Sequence, residues 1–400
     1  MCYNYIGMFS IFLLNLRTRI VVRKMNVPKL RFKEFNDEWK NIKLGEYCNL
    51  ITKGTTPNKF SSSGINFIKI ESLNNYSIDN KLCLCIDEKI HKTTLKRSIL
   101  EKNDVLFAIA GATIGKCGIV EKNNLPANTN QALAILRVKQ EVLNPYFLLN
   151  ILDSRVMKKY IFLNISVGAQ PNLNLEQMNN FNFNIPSKIE QDKIIKMINL
   201  VNKKIELQTK KIEDLKLFKK GLLKEEYSKI CNENNVSLEN IAEIYQPQTI
   251  SQAECTKDGN FLVFGANGII GKFNKYNHKE KQITISCRGE NSGTINETPP
   301  YCWINGNSMV INIDNSKIID KNYLKYILSA QNLKYLISGS GQPQIVRNVV
   351  LKHKIPIISI KEQLQFSNKF ILIDDKIILE QTKLDKLQQL KKGLMQNMFV

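Results

Sequence analysis

At 400 residues the chain has room for two or three domains, and its hydrophobic fraction of 43% is ample for packed cores. The 57 Lys and Arg residues outnumber the 36 Asp and Glu residues. The net charge of +21 suggests a polyanionic partner, although a Lys-rich, well-solvated surface would give the same balance. Nine Cys without a CxxC pair and three widely spaced His exclude zinc-ligand spacing, so we interpret the cysteines as buried thiols of a cytoplasmic protein.

The first 24 residues contain an apolar run followed by arginines. The run is shorter than the roughly 20 residues that span a bilayer. It also lacks the charged n-region and the small-residue cleavage site of a signal peptide. Met25 begins a stretch that is typical of a natural start. We therefore expect residues 1–24 to be an extension without a functional role, and we expect no membrane partner.

Mixed strand and helix patterns follow as far as residue 187. A polar lead-in contains Trp39, and Gly111 and Gly115 bracket a tight loop after a strand-like run. The periodicity predicts strands over Asn66–Ile70, Asp104–Ile109 and Ala132–Val138, and a helix over Tyr146–Ile161. This part of the chain is predicted to form a lobe of mixed α/β structure.

One long stretch occurs twice, at residues 190–223 and 362–395, with 12 of 34 positions identical. In both copies apolar residues recur in alternating steps of four and three, which is the seam of a coiled coil. Both copies interrupt the seam at the same places, with Gln208 and Glu380 and then with Lys219 and Lys391. A shared pattern with shared defects predicts two long helices that pack against each other along their length.

The remaining sequence is duplicated as well. The loop at 110–115 matches the loop at 288–293, and Gly168–Leu173 matches Ser340–Ile345. The chain is therefore a tandem repeat of a lobe and a long helix. The helices keep their register without gaps, whereas the lobes differ in length and sequence. The predicted divisions are 1–24 for the extension, 25–187 and 232–357 for the lobes, and 188–231 and 358–400 for the helices.

On these features the sequence resembles the specificity subunits of type I restriction–modification enzymes. The resemblance covers Met25 to Val400. It rests on the internal repeat, the long helices ending in LKKGLM-type sequence, the GATIG loop, the GQP turns and the GANGIIGKF stretch at 265–273. The lead-in NVPKLRFKEFNDEWKNIKLGE is also typical of the family, whereas the first 24 residues depart from its pattern.

The resemblance implies an α+β protein with two α/β target-recognition domains and two long helices that form an antiparallel coiled coil. Each domain would read one half of a bipartite, asymmetric site in double-stranded DNA, and the helices would fix the spacer. Two modification subunits, which bind S-adenosylmethionine and methylate adenine, would dock on this frame, and restriction subunits would join them. The chain itself would hold no cofactor and no metal and would catalyse no reaction.

Base reading needs Asn, Gln, Arg or Lys on loops, because these side chains match the donors and acceptors of base edges. Glycines let the backbone approach phosphates closely. In the first lobe the candidates are Thr52, Lys53, Gly54, Thr55, Thr56, Gly111, Thr113, Lys116, Asn128, Asn130 and Gln131. In the second lobe they are Gln246, Gln248, Asn267, Lys272, Arg288, Glu290, Asn291, Asn305 and Asn307. A turn or capping role is the alternative for each single residue, so the hypothesis concerns the loops as sets.

Residues 52–100 and 246–287 have no clear counterparts in each other's lobe, so we expect the two half-sites to differ. Gln170-Pro171 and Gln342-Pro343 recur in both lobes and are therefore predicted to have a structural role rather than to read bases.

The sequence offers two alternative functions. A stand-alone adenine DNA methyltransferase would need a catalytic motif, and the stretch Thr298–Tyr301 has Thr where Asn or Asp is usual. Residues 111–117 (GATIGKC) are similar to a phosphate-binding loop but have three residues between the glycines instead of four. A coiled-coil scaffold without nucleic acid would account for the helices but would leave the positive charge of the lobes unexplained.

Overall fold

The computed structural model describes residues 16–18, 27–165, 172–256, 258–266, 268–338 and 343–399. The chain divides into two compact units, of which the first comprises Met1–Leu207 and Leu384–Val400 and the second Gln208–Lys383. Residues 27–187 are called the first lobe and residues 232–357 the second lobe. Among the described residues, no helix combines the length and the apolar character needed to cross a membrane.

The described residues of the first unit form thirteen strands and four short α-helices, with 3-10 helices between some of them. The strands are β1 (Leu16–Thr18), β2 (Leu30–Phe32), β3 (Lys40–Lys43), β4 (Cys48–Lys53), β5 (Ile65–Ile68), β6 (Leu73–Asn74), β7 (Ser77–Ile78), β8 (Leu84–Ile86), β9 (Val105–Ala108), β10 (Cys117–Ile119), β11 (Ala127–Thr129), β12 (Leu133–Val138) and β13 (Asn182–Ile185). The short helices are α1 (Glu88–Lys92), α2 (Pro145–Asp153), α3 (Arg155–Asn164) and α4 (Leu175–Asn179).

The long helix α5 (Lys188–Ile230) contributes residues to both units. The second unit then contains β14 (Asn235–Ser237), β15 (Glu243–Tyr245), β16 (Phe261–Gly265), β17 (Gly268–Phe273), β18 (Ile283–Ser286), β19 (Ile295–Glu297), β20 (Trp303–Ile304), β21 (Ser308–Asn312), α6 (Lys321–Ala330), β22 (Ile337–Ser338), β23 (Gln344–Ile345), α7 (Arg347–Leu351) and β24 (Lys354–Pro356). The second long helix, α8 (Ile360–Met398), also contributes to both units.

A four-stranded antiparallel sheet forms the centre of the first lobe, in the order β10–β9–β12–β4. All residues of β9 are buried, and alternate residues point to opposite faces of a strand. Val105 and Phe107 enter one core with α2, whereas Leu106 and Ala108 enter a second core. A near-continuous apolar run therefore forms a strand here because both faces of the sheet are covered.

The second lobe repeats the four-stranded and three-stranded sheets of the first. Its four-stranded sheet has the order β19–β18–β21–β15. In the first lobe a three-stranded sheet pairs β5 parallel with β11 and antiparallel with β8. In the second lobe β16 pairs parallel with β20 and antiparallel with β17. Residues 52–100 and 246–287, which have no visible counterparts in sequence, therefore contain equivalent strands.

The prediction of one continuous helix over Tyr146–Ile161 is wrong. The segment is divided into α2 and α3 at Ser154, whose backbone is extended (φ −74°, ψ 173°). The Ser154 hydroxyl accepts a hydrogen bond from Val156 N at 3.2 Å, so the serine caps a new helix. A periodic apolar pattern continues across such a cap because both helices turn the same kind of face to the core.

Each long helix is joined to its lobe by a fully buried glutamine at the same repeat position. Gln191 accepts a hydrogen bond from Asn144 N at 2.9 Å and donates to Val142 O and Pro186 O, both at 3.0 Å. In the second unit, Gln363 accepts from Asp320 N at 2.8 Å and donates to Ile318 O and Ile358 O, both at 2.8 Å. Each side-chain amide therefore makes three hydrogen bonds to backbone groups, one through its oxygen and two through its nitrogen, as a buried polar group requires.

Within the second unit the long helices run antiparallel, because rising residue numbers on α5 meet falling numbers on α8. Gln208 contacts Glu380, Lys219 contacts Asp374, and Glu226 contacts Lys369. In the first unit, the end of α8 and the start of α5 enter one core, to which Ile205 and Leu390 both contribute. The predicted α+β fold with an antiparallel pair of long helices is confirmed.

The first shared seam defect is a polar pair between repeat-equivalent positions. Glu380 is 1% exposed, and its carboxylate accepts a hydrogen bond from Gln208 Nε2 at 2.7 Å. Lys211 and Lys383 each place Nζ at 3.1 Å from the carboxylate. The hydrogen bond from Gln208, aided by the two lysines, lowers the pKa of Glu380 to about 2.

The second shared defect places an equivalent lysine against a tyrosine in each unit. Lys219 lies 5.1 Å from the ring centre of Tyr326 and pairs with Asp374. Lys391 lies 5.4 Å from the ring centre of Tyr76, and burial lowers the pKa of this lysine. Both seam interruptions are therefore side chains with specific partners.

Candidate nucleic-acid interface

Several loops leave the four-stranded sheet of the first lobe at one end. Ala134 of β12 lies opposite Lys53 of β4, and Leu133 lies opposite Ala108 of β9. The ends of β4 and β9 and the beginnings of β10 and β12 therefore lie together. The predicted residues Thr52 and Lys53 are the last two of β4, and the loops at this end carry the predicted residues Gly54, Thr55, Thr56, Gly111, Thr113, Lys116, Asn130 and Gln131.

Two of these loops cross closely at a glycine. Gly54 is buried, and a Cβ atom at this position would overlap the carbonyl group of Thr129. Thr55 N donates to Thr129 O at 3.1 Å, and the Thr56 hydroxyl donates to Gln131 Oε1. The missing side chain at residue 54 thus allows the loop after β4 to contact the loop after β11, which holds a group of polar side chains at the sheet end.

In the second lobe two equivalent loops also cross, but the glycine lies in the other of the two loops. Gly306 follows β20, and a Cβ atom there would lie 2.6 Å from Pro247 O and 2.5 Å from the Thr249 hydroxyl oxygen, in the loop after β15. Gln246 Nε2 donates to Gly306 O at 3.2 Å. The sheet end again gathers predicted residues, here Gln246, Gln248, Arg288, Glu290, Asn291 and Asn307.

The glycine loops after β9 and β18 have one conformation. The backbone φ is +85° at Gly111, +93° at Gly115, +82° at Gly289 and +89° at Gly293. These values lie in a region that residues with a Cβ atom rarely adopt. Gly115 N donates to Ala108 O at 2.9 Å, and Gly293 N donates to Ser286 O at 2.8 Å. The repeat that we inferred between these loops therefore extends to their hydrogen bonds.

The structure gives several predicted residues an internal role. Lys116 Nζ donates to Ile70 O at 2.9 Å. Asn128 is fully buried and donates to Leu95 O at 3.0 Å. Asn305 is 3% exposed and both accepts from Ile250 N and donates to Ile250 O, at 2.9 Å in each case. Capping and bracing, the alternative considered above, is what these side chains do.

One other predicted residue, Lys272, does not join the sheet end. Lys272 lies on β17 opposite Leu262, away from the turn that connects β16 and β17. Asn267 lies outside the described residues, as do Gln170, Pro171 and Gln342 of the recurrent GQP turns.

Sequence reasoning missed Arg97. This exposed residue lies in a short 3-10 helix, Lys96–Ser98, and its Nη2 donates to the Thr55 hydroxyl oxygen at 3.1 Å. Arg97 thus joins the polar group at the end of the first lobe's sheet, from a segment 42 residues away along the chain. An arginine within the 52–100 segment was the available signal, but spacing alone could not place it beside Thr55.

The methyltransferase-like stretch at Thr298–Tyr301 has a structural role. Thr298 is 2% exposed, its backbone N donates to Gln282 O at 2.9 Å, and its hydroxyl accepts from Gln282 N at 3.1 Å. A threonine held in this way turns its hydroxyl to the sheet. Among the described residues, no group of three or more His, Cys, Asp or Glu side chains could hold a metal ion.

Comparison with known protein families gives two matches to the type I restriction modification DNA specificity domain, over residues 36–217 and 232–389. The MjaX specificity subunit of Methanocaldococcus jannaschii is 24% identical over 412 residues, covering 93% of this chain and 95% of that protein. The EcoBI specificity subunit of Escherichia coli is 33% identical over 137 residues, which are 34% of this chain and 28% of that protein.

Solved structures share the fold. The S subunit of a type I restriction–modification system from M. genitalium superposes with a TM-score of 0.58 at 16% identity, covering 94% of this chain and 99% of that one. A chain from a structural study of complex assembly and conformational transition of the type I R-M system also gives a TM-score of 0.58, at 15% identity, with 90% and 97% covered.

Proposed function

The chain belongs to the type I restriction–modification DNA specificity family, and from this premise we propose that it is the non-catalytic subunit that selects the DNA sequence. Each lobe reads one half of a bipartite, asymmetric site in double-stranded DNA. The long helices set the spacer between the half-sites. The observation that carries this proposal is the pair of equivalent sheet ends, which share a backbone frame and differ in their polar side chains.

Two different half-sites follow from those side chains. The first sheet end presents Thr55, Thr56, Gln131 and Arg97, whereas the second presents Gln246, Arg288 and Asn307. Base edges are distinguished by the pattern of donors and acceptors that face them. The same frame with different donors and acceptors therefore reads different bases. The net charge of +21 supports a DNA partner, because phosphate contacts supply most of the affinity for DNA.

The helices are long enough to act as a ruler. At a rise of about 1.5 Å per residue, α5 and α8 are about 65 Å and 59 Å long, whereas one turn of DNA covers about 34–36 Å. We expect four residues inserted after Thr209 to change the spacer and to leave the bases of both half-sites unchanged. Mapping methylated adenines in cells that also contain the modification subunits measures both quantities. Thr209→Ala, which keeps the helix length, is the matched control, and an unchanged spacer in the insertion variant would contradict the ruler.

The partners on the helices are modification subunits, with restriction subunits completing the complex. In the second unit, exposed apolar side chains support a docking surface of this kind: Leu217 is 70% exposed, Phe218 59%, Leu372 70% and Ile378 64%. Exposed apolar groups in such numbers are typical of surfaces that a partner covers. Leu217→Gln with Phe218→Gln should weaken co-purification with the modification subunit, while Lys216→Ala should not. Equal recovery from all three chains would argue against docking at this place.

A further inference from the structure

Arg97 occupies a defined position at the end of the first lobe's sheet. The guanidinium group of Arg97 donates one hydrogen bond to the Thr55 hydroxyl oxygen, at 3.1 Å. Thr55 is itself tied to β11 through its backbone bond to Thr129 O at 3.1 Å. The guanidinium has five N–H donors in a planar fork, and one is used in this bond.

The residues on both sides of Arg97 are held by the side chain of Asn128. The buried amide of Asn128 donates to Leu95 O at 3.0 Å and to the Ser98 hydroxyl oxygen at 3.3 Å. Its Oδ1 lies 2.5 Å from His91 Nδ1. The segment that carries Arg97 is therefore held against β11 by a buried side chain, so the chain on which the arginine stands is fixed before any ligand arrives.

Two other arginines of the first lobe form ion pairs with carboxylates. Arg31 is 2% exposed and pairs with Glu190 through two bonds of 2.7 Å. Arg137 pairs with Asp104 through two bonds of 2.8 Å. Arg97 lies in none of the ion pairs found among the described residues, and it is exposed at the sheet end.

We propose that Arg97 is a specificity-determining residue of the first lobe and reads a guanine in one half-site. This proposal rests on the function proposed above. The major-groove edge of guanine presents two acceptors, N7 and O6, which match the two parallel donors of a guanidinium. The bond from Nη2 to Thr55 limits where that fork can lie. In the second lobe the exposed arginine at the sheet end, Arg288, lies in the glycine loop instead, so the two lobes would place their arginines over different base positions.

The test compares Arg97→Lys and Arg97→Ala with the wild-type chain, each assembled with its modification subunits, by mapping methylated adenines across a genome. The wild type should show an invariant guanine in one half-site. Arg97→Ala should lose discrimination at this position alone, by about 5- to 150-fold, which corresponds to the usual worth of a bidentate base contact. Arg97→Lys should lose part of this discrimination, because an ammonium group lacks the rigid fork of donors. The spacer and the other half-site should stay unchanged. Lys96→Ala, which removes the neighbouring exposed charge, should leave the motif intact.

Other outcomes overturn the proposal in distinguishable ways. A contact with phosphate alone would be retained in Arg97→Lys, and Arg97→Ala would then lower methylation of all sites evenly, because a phosphate contact carries no sequence information. A wild-type motif at wild-type levels in both variants would remove any role for Arg97 in binding. A wild-type chain that directs no bipartite methylation would overturn the proposed function itself. Thermal unfolding of each complex shows whether a variant has lost its fold, and Arg97→Gln then provides a second exposed substitution that should also lose the guanine, because a glutamine amide matches adenine.

Discussion

The two lobes have one strand order and one loop frame, yet they solve the same packing problems with different residues. The crossing of two loops at the sheet end needs a glycine, and the first lobe places it after β4 at Gly54, whereas the second places it after β20 at Gly306. The exposed arginines, Arg97 and Arg288, also stand on different loops. The comparison shows that hydrogen bonding fixes the frame, while the choice of side chains at the sheet end varies between lobes.

The base of the first long helix gives the largest expected difference between the repeats. Glu190 is 1% exposed and its partner is Arg31, whereas the repeat-equivalent Glu362 is exposed and accepts a bond from Ser359 N at 3.0 Å. Arg31→Leu leaves a buried carboxylate unpaired and should destabilise the first unit by about 3–5 kcal/mol. Glu362→Gln should change stability little. Thermal unfolding and hydrogen exchange of the first lobe measure the effect. If Arg31→Leu with Glu190→Leu does not recover most of the loss, the ion pair is not its source.

The crossing glycines should differ in their tolerance of alanine. Gly54→Ala forces a Cβ atom onto the Thr129 carbonyl, which is backbone and cannot turn away, so we expect a loss of about 3 kcal/mol. Gly306→Ala places a Cβ atom 2.6 Å from Pro247 O, which is also backbone, and 2.5 Å from the Thr249 hydroxyl, which can rotate. This overlap with backbone is smaller than the 1.9 Å approach to Thr129 O at Gly54, so a loss of about 1–2 kcal/mol is expected. Denaturant titration of both variants ranks them. An equal or reversed ranking would show that overlap with the backbone does not set the cost of the Cβ atom.

The glutamines that join helix to lobe should behave alike. Gln191→Leu and Gln363→Leu each leave three backbone groups at the base of a long helix without their partner, and each should destabilise the fold by about 2–3 kcal/mol. Hydrogen exchange should speed up at the first turn of α2 in one variant and of α6 in the other. A large effect in only one lobe would break the symmetry that the hydrogen bonds indicate.

The hydrogen-bonded pair of Gln208 and Glu380, at the edge of the second unit, predicts a pH dependence. The folded-state pKa of Glu380 is about 2, below its ordinary value of 4.5. This carboxylate therefore contributes its full stabilisation above about pH 4.5, and the contribution is lost as the pH falls towards 2. Glu380→Gln should flatten this part of the stability curve, as followed by circular dichroism of the helices. Gln208→Glu, by contrast, should make the helix pair less stable at neutral pH than at acidic pH.

The smallest effects are expected at the glycines inside the long helices. Gly221 and Gly393 are repeat-equivalent, and a Cβ atom at either position would meet nothing within 4 Å. Gly221→Ala and Gly393→Ala should each stabilise by about 0.5–1 kcal/mol, because alanine loses less backbone entropy in a helix. A small rise in the midpoint of thermal unfolding would be the measurement. Destabilisation by either variant would indicate that a partner approaches that face closely.

The frame was predictable from sequence to a large extent. Gln191 and Gln363 are identical in the two copies, and the offset of the glycine loops predicted a correspondence that their backbone angles confirm. The candidate site was predictable only as loops. Asn128 and Asn305 have the composition of base-reading residues but brace the backbone, whereas Arg97 stands at the sheet end and was not predicted. That the candidate loops contact DNA stays a prediction.

The sequence by itself determined the repeat, the two long helices and the polar interruptions of their seam, because helix periodicity and internal identity are local properties that survive in one dimension. The tertiary structure decided which strands of the two lobes are equivalent, which amides are buried and which residues stand beside Thr55. The physical reason is that a strand is stabilised by partners far away in the chain. Burial of a polar side chain likewise depends on what packs over it, and neither is written in the spacing of residues.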